Sequence, residues 1–348
     1  MARRRIVVAG AGAVGASIAY HLALLGADSV VLCDAEEVAS GATGKAMGGV
    51  RQQFSTAAEV RLAQASIDFF RQLGTPLFDQ VGYLFLATTN EGLARLRTRA
   101  ELQRGLGVAV EDVDPREVRG LRTNDVLGSV ICREDGVADP PEAARELVRR
   151  AAERGVDVRE HTDARELEAD VLVVACGWQS AELFPELPIR PLVRQLVDVG
   201  PVEGLPETMP MVVEEETTFH FRRRDACLRL ACRERTARWS SDQVVEDALV
   251  QDVRDRLAYR YPSAAAAPVE RAWAGLYDMT PDAHPILGEV ADGVYAACGF
   301  SGHGFMQSPA VGRALAEEIL GLSPSLDLTP YRLDRFEDDA AFPETLIL

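Results

Sequence analysis

The stretch IVVAGAGAVGASIAYHLALLGADSVVLCD, residues 6–34, decides the fold. Four apolar residues, Ile6 to Ala9, run into a glycine turn, Gly10 to Gly15. An apolar-periodic stretch follows to Leu25, and a second apolar run, Val30 to Cys33, ends in Asp34. That order predicts one βαβ unit. In Gly10-Ala11-Gly12-Ala13-Val14-Gly15 the first glycine permits the tight turn, the second lets backbone approach a pyrophosphate, and the third lets helix pack closely on strand. The phosphates then sit at the helix N-terminus, where backbone N–H groups lack intrahelical partners. Asp34, about 20 residues further on, is placed to accept hydrogen bonds from a ribose hydroxyl, and an acid there argues against NADP. The same pattern also fits an unrelated glycine turn with Asp34 as a cap. Its place between a strand and a helix favours a dinucleotide.

Further α/β pieces lie outward from this unit. Asp139 is a candidate N-cap before Pro140, with a helix from Glu142 to Arg154, Gly155 closing it, and a strand from Val156 to Arg159. The buried-looking run Val171 to Ala175 precedes Gly177. Near the end come a strand, Val294 to Cys298, a glycine-rich loop, and a helix from about Pro309 to Leu320. Two segments of different character interrupt these pieces. One, about Tyr83 to Gly136, holds a strand-like Tyr83 to Ala87 and a charged helix around Glu91 to Gln103; the other, about Arg190 to Pro281, alternates as strands do at Phe219 to Arg222 and Cys227 to Cys232. The expected fold class is α/β, α+β overall. A discontinuous nucleotide domain of residues 1–80, 137–189 and 282–348 carries an inserted antiparallel-sheet domain of residues 81–136 and 190–281.

Composition narrows the partners. The chain has 348 residues, 47% of them hydrophobic, enough for one large core or two moderate ones. Its formal net charge of -17 repels polyanions, so neither nucleic acid nor an anionic membrane is expected as a partner. Arg3, Arg4 and Arg5 precede an apolar run too short for a signal-peptide core or a membrane span, and a soluble, cytoplasmic protein is the expectation. Cys33, Cys132, Cys176, Cys227, Cys232 and Cys298 form no CxxC pair and have no histidines at metal-ligand spacing. They read as free thiols, and no metal site is expected.

The stretch SGATGKAMGGVRQQF, residues 40–54, is too rich in glycine and alanine for an ordinary strand or helix and carries few charges for a solvated loop. It suits backbone pressed against a flat ring, which favours FAD over NAD. Together with the glycine turn and Asp34, GGVRQQF, LYDMTPDAHPILG at 276–288 and GFSGHGFM at 299–306 resemble the D-amino-acid oxidase superfamily of FAD-dependent oxidoreductases. Within it the chain is most similar to the group of sarcosine oxidase, sarcosine dehydrogenase and the L-proline dehydrogenase β-subunit. The resemblance runs from the N-terminus to about Leu320.

This resemblance implies a Rossmann-like FAD domain and a substrate domain whose sheet covers the flavin. It implies hydride transfer from the carbon beside nitrogen of a small amine or amino acid to flavin N5, giving an imine that water hydrolyses. The implied cofactor contacts are Gly10, Gly12, Ala13, Val14, Gly15, Asp34, Thr43, Gly48, Gly49, Gly177, Gly302, His303, Gly304 and Met306. The implied catalytic group is Arg51, His303 and Tyr277. Arg51 stands where a family arginine grips the substrate carboxylate through two parallel hydrogen bonds; a surface or flavin-contacting arginine is the other reading. His303 is expected beside the isoalloxazine through its ring or its backbone, and Tyr277 either lines the cavity or packs in the core. His220 and Arg222 are read as lying on opposite faces of a strand, so that only one is expected to enter the pocket, and His284, before Pro285, reads as a turn residue.

The chain departs from the resemblance at several positions. Where relatives tether FAD through cysteine or histidine, it has Gly275 and Lys45, so FAD is expected to be bound non-covalently. Met306 stands where a second carboxylate-holding lysine is found, Arg229 where a lysine promotes reaction with oxygen, and the connection from His161 to Asp170 is short. The electron acceptor, oxygen or another, stays open, as does the need for a homo-oligomer or an additional subunit. A non-catalytic or assembly-type FAD-binding protein is the alternative function.

Overall fold

The computed structural model describes residues 4–337 and 341–348. Its first sheet has six strands in the order Ile286–Ala291, Val294–Cys298, Val171–Val174, Ile6–Ala9, Val30–Cys33 and Asp157–Arg159. All neighbours pair in parallel except the edge strand Ile286–Ala291. Parallel strands covered on both faces are continuously apolar. Ile6–Ala9 is buried along its whole length and pairs in register with Val30–Cys33 on one side and Val171–Val174 on the other. Helix Ala13–Leu24 fills the space between helices Pro140–Ala152 and Gly304–Ile319, and Ile18, Leu22, Leu147, Val311 and Leu315 close one core over Ile6, Val8 and Leu32.

Two helices begin earlier than their sequence suggests. Pro140–Ala152 starts two residues before Glu142, because Asp139 accepts from Glu142 N at 3.3 Å and proline suits the first turn. Gly304–Ile319 starts five residues before Pro309, so the proline lies inside it. Pro309 offers no N–H to the Phe305 carbonyl, and Ser308 Oγ donates to that oxygen instead, at 2.9 Å.

The second sheet has eight strands in the order Val269–Met279, Arg190–Val199, Cys227–Ala231, His220–Arg224, Met211–Glu214, Tyr83–Ala87, Gly128–Cys132 and Val110–Asp112. The expectation of an antiparallel sheet needs one correction, since Met211–Glu214 and Tyr83–Ala87 pair in parallel. Strands so far apart in sequence share no hairpin, and no turn imposes the antiparallel sense there. Alternation of side chains then makes two cores. Phe85, Val130 and Val213 meet helices Ala57–Leu73 and Asn90–Gly105, while Leu84, Ile131 and Val212 meet helix Asp247–Arg260 on the opposite face. A small three-stranded sheet of Gly49–Val50, Gly136–Ala138 and Phe78–Asp79 carries the end of the glycine-rich segment. That segment is otherwise irregular apart from the 3-10 turn Ala42–Lys45. Among the described residues no helix is long and apolar enough to cross a membrane.

Candidate functional site

A cavity of about 650 Å³ opens between the two sheets. On one side it meets the carboxyl ends of parallel strands at Ala9, Cys33, Ala175 and Ala297, the place where open α/β sheets bind ligands. On the other it meets Tyr83, Arg194, Met211, His220 and the run Gly275–Asp278 of the second sheet.

At the first end the glycine turn is held tightly. A Cβ on Gly15 would fall 1.8 Å from the Gly10 carbonyl oxygen, so the third glycine serves helix-on-strand contact and, unlike the other implied cofactor residues, does not line the cavity. Asp34 Oδ2 accepts from Ala11 N at 2.6 Å and Oδ1 from Glu36 N at 3.0 Å, which fixes the carboxylate at the cavity wall with lone pairs to spare. The Ala13 N–H is taken by Thr43 Oγ1 at 3.0 Å, whereas the helix start leaves Val14 N–H without an intrahelical carbonyl. A pair of ribose hydroxyls at Asp34 and an anion at this helix start are what the donors and acceptors here suit. Gly12, Gly48, Gly49 and Gly177 line the same space.

At the far end the cavity gathers Arg51, Tyr277, Gly302, His303, Gly304 and Met306. Arg51 is 1% exposed. Its guanidinium lies 4.0 Å above the Phe54 ring, donates to the main-chain oxygens of Gln53 and Leu346, the latter at 2.9 Å, and forms no ion pair among the described residues. Burial, above all, lowers its pKa from the ordinary value. Two amides behind it set its position. Gln52 donates from N and Nε2, and Gln53 from Nε2, to the fully buried carboxylate of Asp135, at 3.0 to 3.1 Å. Burial pushes that carboxyl up to about 6.

His303 sits with its ring edge-on to Phe54, centroids 5.0 Å apart, and Nε2 3.5 Å from Arg51 Nη2. Burial first, and the Arg51 charge second, hold its pKa well below the usual histidine range. The imidazole is therefore neutral, and its buried Nδ1 has no partner among the described residues. An orphaned polar atom inside a cavity marks a place for a bound group. Gly302 has φ +95°, and a Cβ there would fall 2.4 Å from the Tyr277 ring, so glycine lets loop and tyrosine lie together. Asp278 holds the same loop by accepting from Gly299 N at 2.7 Å.

His220 and Arg222 are two residues apart on one strand and therefore share a face, which corrects the premise that they diverge. His220 lines the cavity, whereas Arg222 stands behind it, donating to Met47 O at 2.6 Å and Ala138 O at 3.2 Å. His284 is a buried core residue, joined to Glu59 Oε1 at 2.8 Å and stacked on Phe342. Arg229 lies outside the cavity lining, paired through two bonds with Asp198. Gly275 and Lys45 both line the cavity, a Cβ on the glycine falling 3.2 Å from Lys45 Cβ.

Sequence reasoning missed Gln52, Gln53 and Asp135, whose signal was two adjacent amides in a low-charge stretch. It also missed Arg194, which lines the cavity, lies 5.3 Å over the Tyr277 ring and pairs with Glu234 at 2.6 Å. The segment 344–348, whose Leu348 reaches the lining, gave no motif.

Comparison with known proteins adds to this geometry. The family model described as "DAO: FAD dependent oxidoreductase" matches residues 5–318. The FAD-dependent oxidoreductase domain-containing protein 1 of Bos taurus is 28% identical over 96% of this chain and 85% of its own length. The 4-methylaminobutanoate oxidase (formaldehyde-forming) of Paenarthrobacter nicotinovorans is 24% identical over 95% of this chain, which spans 45% of that protein. The crystal structure of L-proline dehydrogenase from P. horikoshii superposes with a TM-score of 0.88 at 27% identity, covering 97% of this chain and 98% of that one.

Proposed function

The chain belongs to the DAO family of FAD-dependent oxidoreductases, and on that premise we propose that it oxidises the carbon–nitrogen bond of a small amine or amino acid. The observation that carries this reading is the far end of the cavity, where a buried guanidinium without a carboxylate partner among the described residues, a tyrosine hydroxyl and a neutral histidine converge. Bound FAD supplies a hydride acceptor. Arg51 would hold a substrate carboxylate by two parallel bonds, and Asp135 holds Arg51 in place through Gln52 and Gln53. Tyr277, whose pKa burial raises, stays a neutral hydroxyl and a donor. His220, lowered to about 4 by burial, and His303 are neutral and add no positive charge beside the substrate nitrogen. An amine that enters unprotonated needs position and exclusion of water more than a general base.

Asp34 and the first turn of helix Ala13–Leu24 would hold the ribose and pyrophosphate of FAD, and the 45–51 and 302–306 segments its ring. We propose non-covalent attachment. Gly275 has no nucleophile, Lys45 Nζ is engaged by Gln243, and the thiols of Cys33, Cys176 and Cys232 along the cavity are pushed up to about 11, 12 and 12, chiefly by burial. The discontinuous division into cofactor and substrate domains and a cytoplasmic location belong to the same proposal. A non-catalytic, assembly-type role is favoured by one feature, the engagement of both Arg51 and Tyr277 by residues 346–348. The test is turnover of N-methyl, cyclic and primary amino acids and of simple amines with oxygen and with an artificial acceptor. Carbonyl product should form in step with acceptor reduced for at least one class. Tightly bound FAD with no product from any of them would favour the assembly role.

A further inference from the structure

We infer that residues 344–348 form a strap that closes the substrate side of the cavity and sets which amines enter, by placing main-chain oxygens where a substrate carboxylate would bind. The inference rests on the function proposed above. Arg51 Nη2 donates to Leu346 O at 2.9 Å, and the Tyr277 hydroxyl donates to Leu348 O at 3.0 Å. These are two of the donors that would orient an amino-acid substrate, and a single short segment occupies both. Leu346 is buried against the core that contains Val50 and Phe54, and Ile347 packs on Leu192, Met279 and Ala283.

The strap is fastened upstream of these contacts. The buried Glu344 carboxylate accepts from Ser55 N at 3.1 Å, from Ser55 Oγ and from Leu346 N at 2.8 Å, and Glu344 N donates to Asp282 O at 3.0 Å. Beyond that point Arg51 donates to the neutral carbonyl dipole of Leu346, and Tyr277 to the main-chain oxygen of Leu348. A carboxylate forms shorter, charge-assisted bonds of roughly twice the strength with a guanidinium. A carboxylate can therefore displace the strap but loses affinity in doing so, while an amine without a carboxylate competes with nothing at Arg51. The strap thus lowers discrimination in favour of amino acids over simple amines.

The test compares wild type with a deletion of residues 344–348 and with full-length Glu344→Ala, all as the FAD-loaded protein. Acetate serves as a minimal carboxylate probe, its binding read from the change in flavin absorption without turnover. Both variants should bind acetate about tenfold more tightly, the equivalent of removing one competing hydrogen bond. In wild type, acetate should speed protease cleavage within 344–348. The KM of a carboxylate-bearing substrate should fall in the variants, with the KM of a matched amine lacking it changed less than twofold. Unchanged acetate affinity in both variants, or cleavage of wild type indifferent to acetate, would overturn the strap. If acetate tightens yet no amine reduces the flavin, the strap stands and the catalytic reading fails. If either variant loses FAD, the wild-type cleavage experiment decides.

Discussion

Replacing Arg51 with alanine should separate substrates by charge. The side chain is 1% exposed and has no carboxylate partner among the described residues, whereas Arg194, the other arginine near Tyr277 on the lining, is paired with Glu234, so a substrate carboxylate delivered to Arg51 leaves water to meet this guanidinium. Truncating one partner of a buried charge pair costs about 2 to 5 kcal/mol. Taking about 3 kcal/mol gives roughly a hundredfold loss in kcat/KM for a carboxylate-bearing substrate. The change also leaves the main-chain oxygens of Gln53 and Leu346 without their donor, at about 1 kcal/mol each in folding stability, too little to unfold an ordinary domain. Arg51→Lys should recover only part of the loss, because one ammonium cannot make two parallel bonds. The assay is anaerobic flavin reduction by matched substrates with and without a carboxylate, alongside measurement of FAD content. Loss confined to the carboxylate substrate, with FAD retained, is the expected outcome. Equal losses for both substrates, or loss of FAD, would refute the clamp.

Three further outcomes follow from the same structure. Acid or heat should release intact FAD, and flavin fluorescence that stays with the denatured polypeptide on a gel would contradict non-covalent binding. Gly15→Ala places a Cβ 1.8 Å from a backbone oxygen, so it should cost about 3 kcal/mol or more of stability and abolish FAD uptake, and unaltered urea unfolding would count against the packing role. Asp135, pushed up to about 6 inside the fold, binds its proton more tightly there than in the unfolded chain. Its contribution is present below its ordinary pKa near 4 and is lost as pH rises through about 6, by up to about 3 kcal/mol. Urea midpoints between pH 4 and 7 should therefore fall more steeply in wild type than in Asp135→Asn, and parallel curves would show that the carboxyl does not titrate in this window.

The parts of the fold written in local chemistry were legible. The glycine turn, Asp34 and the GFSGHGF loop each depend on backbone demands that a short stretch of sequence displays, and the structure brings Arg51, Tyr277 and His303 to one cavity. What stayed hidden depends on distant partners. The parallel pairing of Tyr83–Ala87 with Met211–Glu214 joins strands with no turn between them, and Asp135 reaches Gln52 and Gln53 across more than eighty residues. Arg194 gave no signal because its strand is buried and its partner, Glu234, sits forty residues away. Pro309 concealed a helix start that Ser308 makes tolerable. The strap at 344–348 follows the family match, which ends at residue 318, and only its packing shows that it reaches the site.

The decisive measurement is rapid anaerobic mixing of the FAD-loaded protein with a small amine or amino acid, protiated or deuterated at the carbon beside nitrogen, while visible absorbance is followed. Oxidation of that carbon–nitrogen bond at this cavity should bleach the flavin, more slowly with the deuterated substrate. A flavin that a chemical reductant bleaches but that no amine reduces, whether or not the strap is present, would show that this chain does not carry out the proposed reaction.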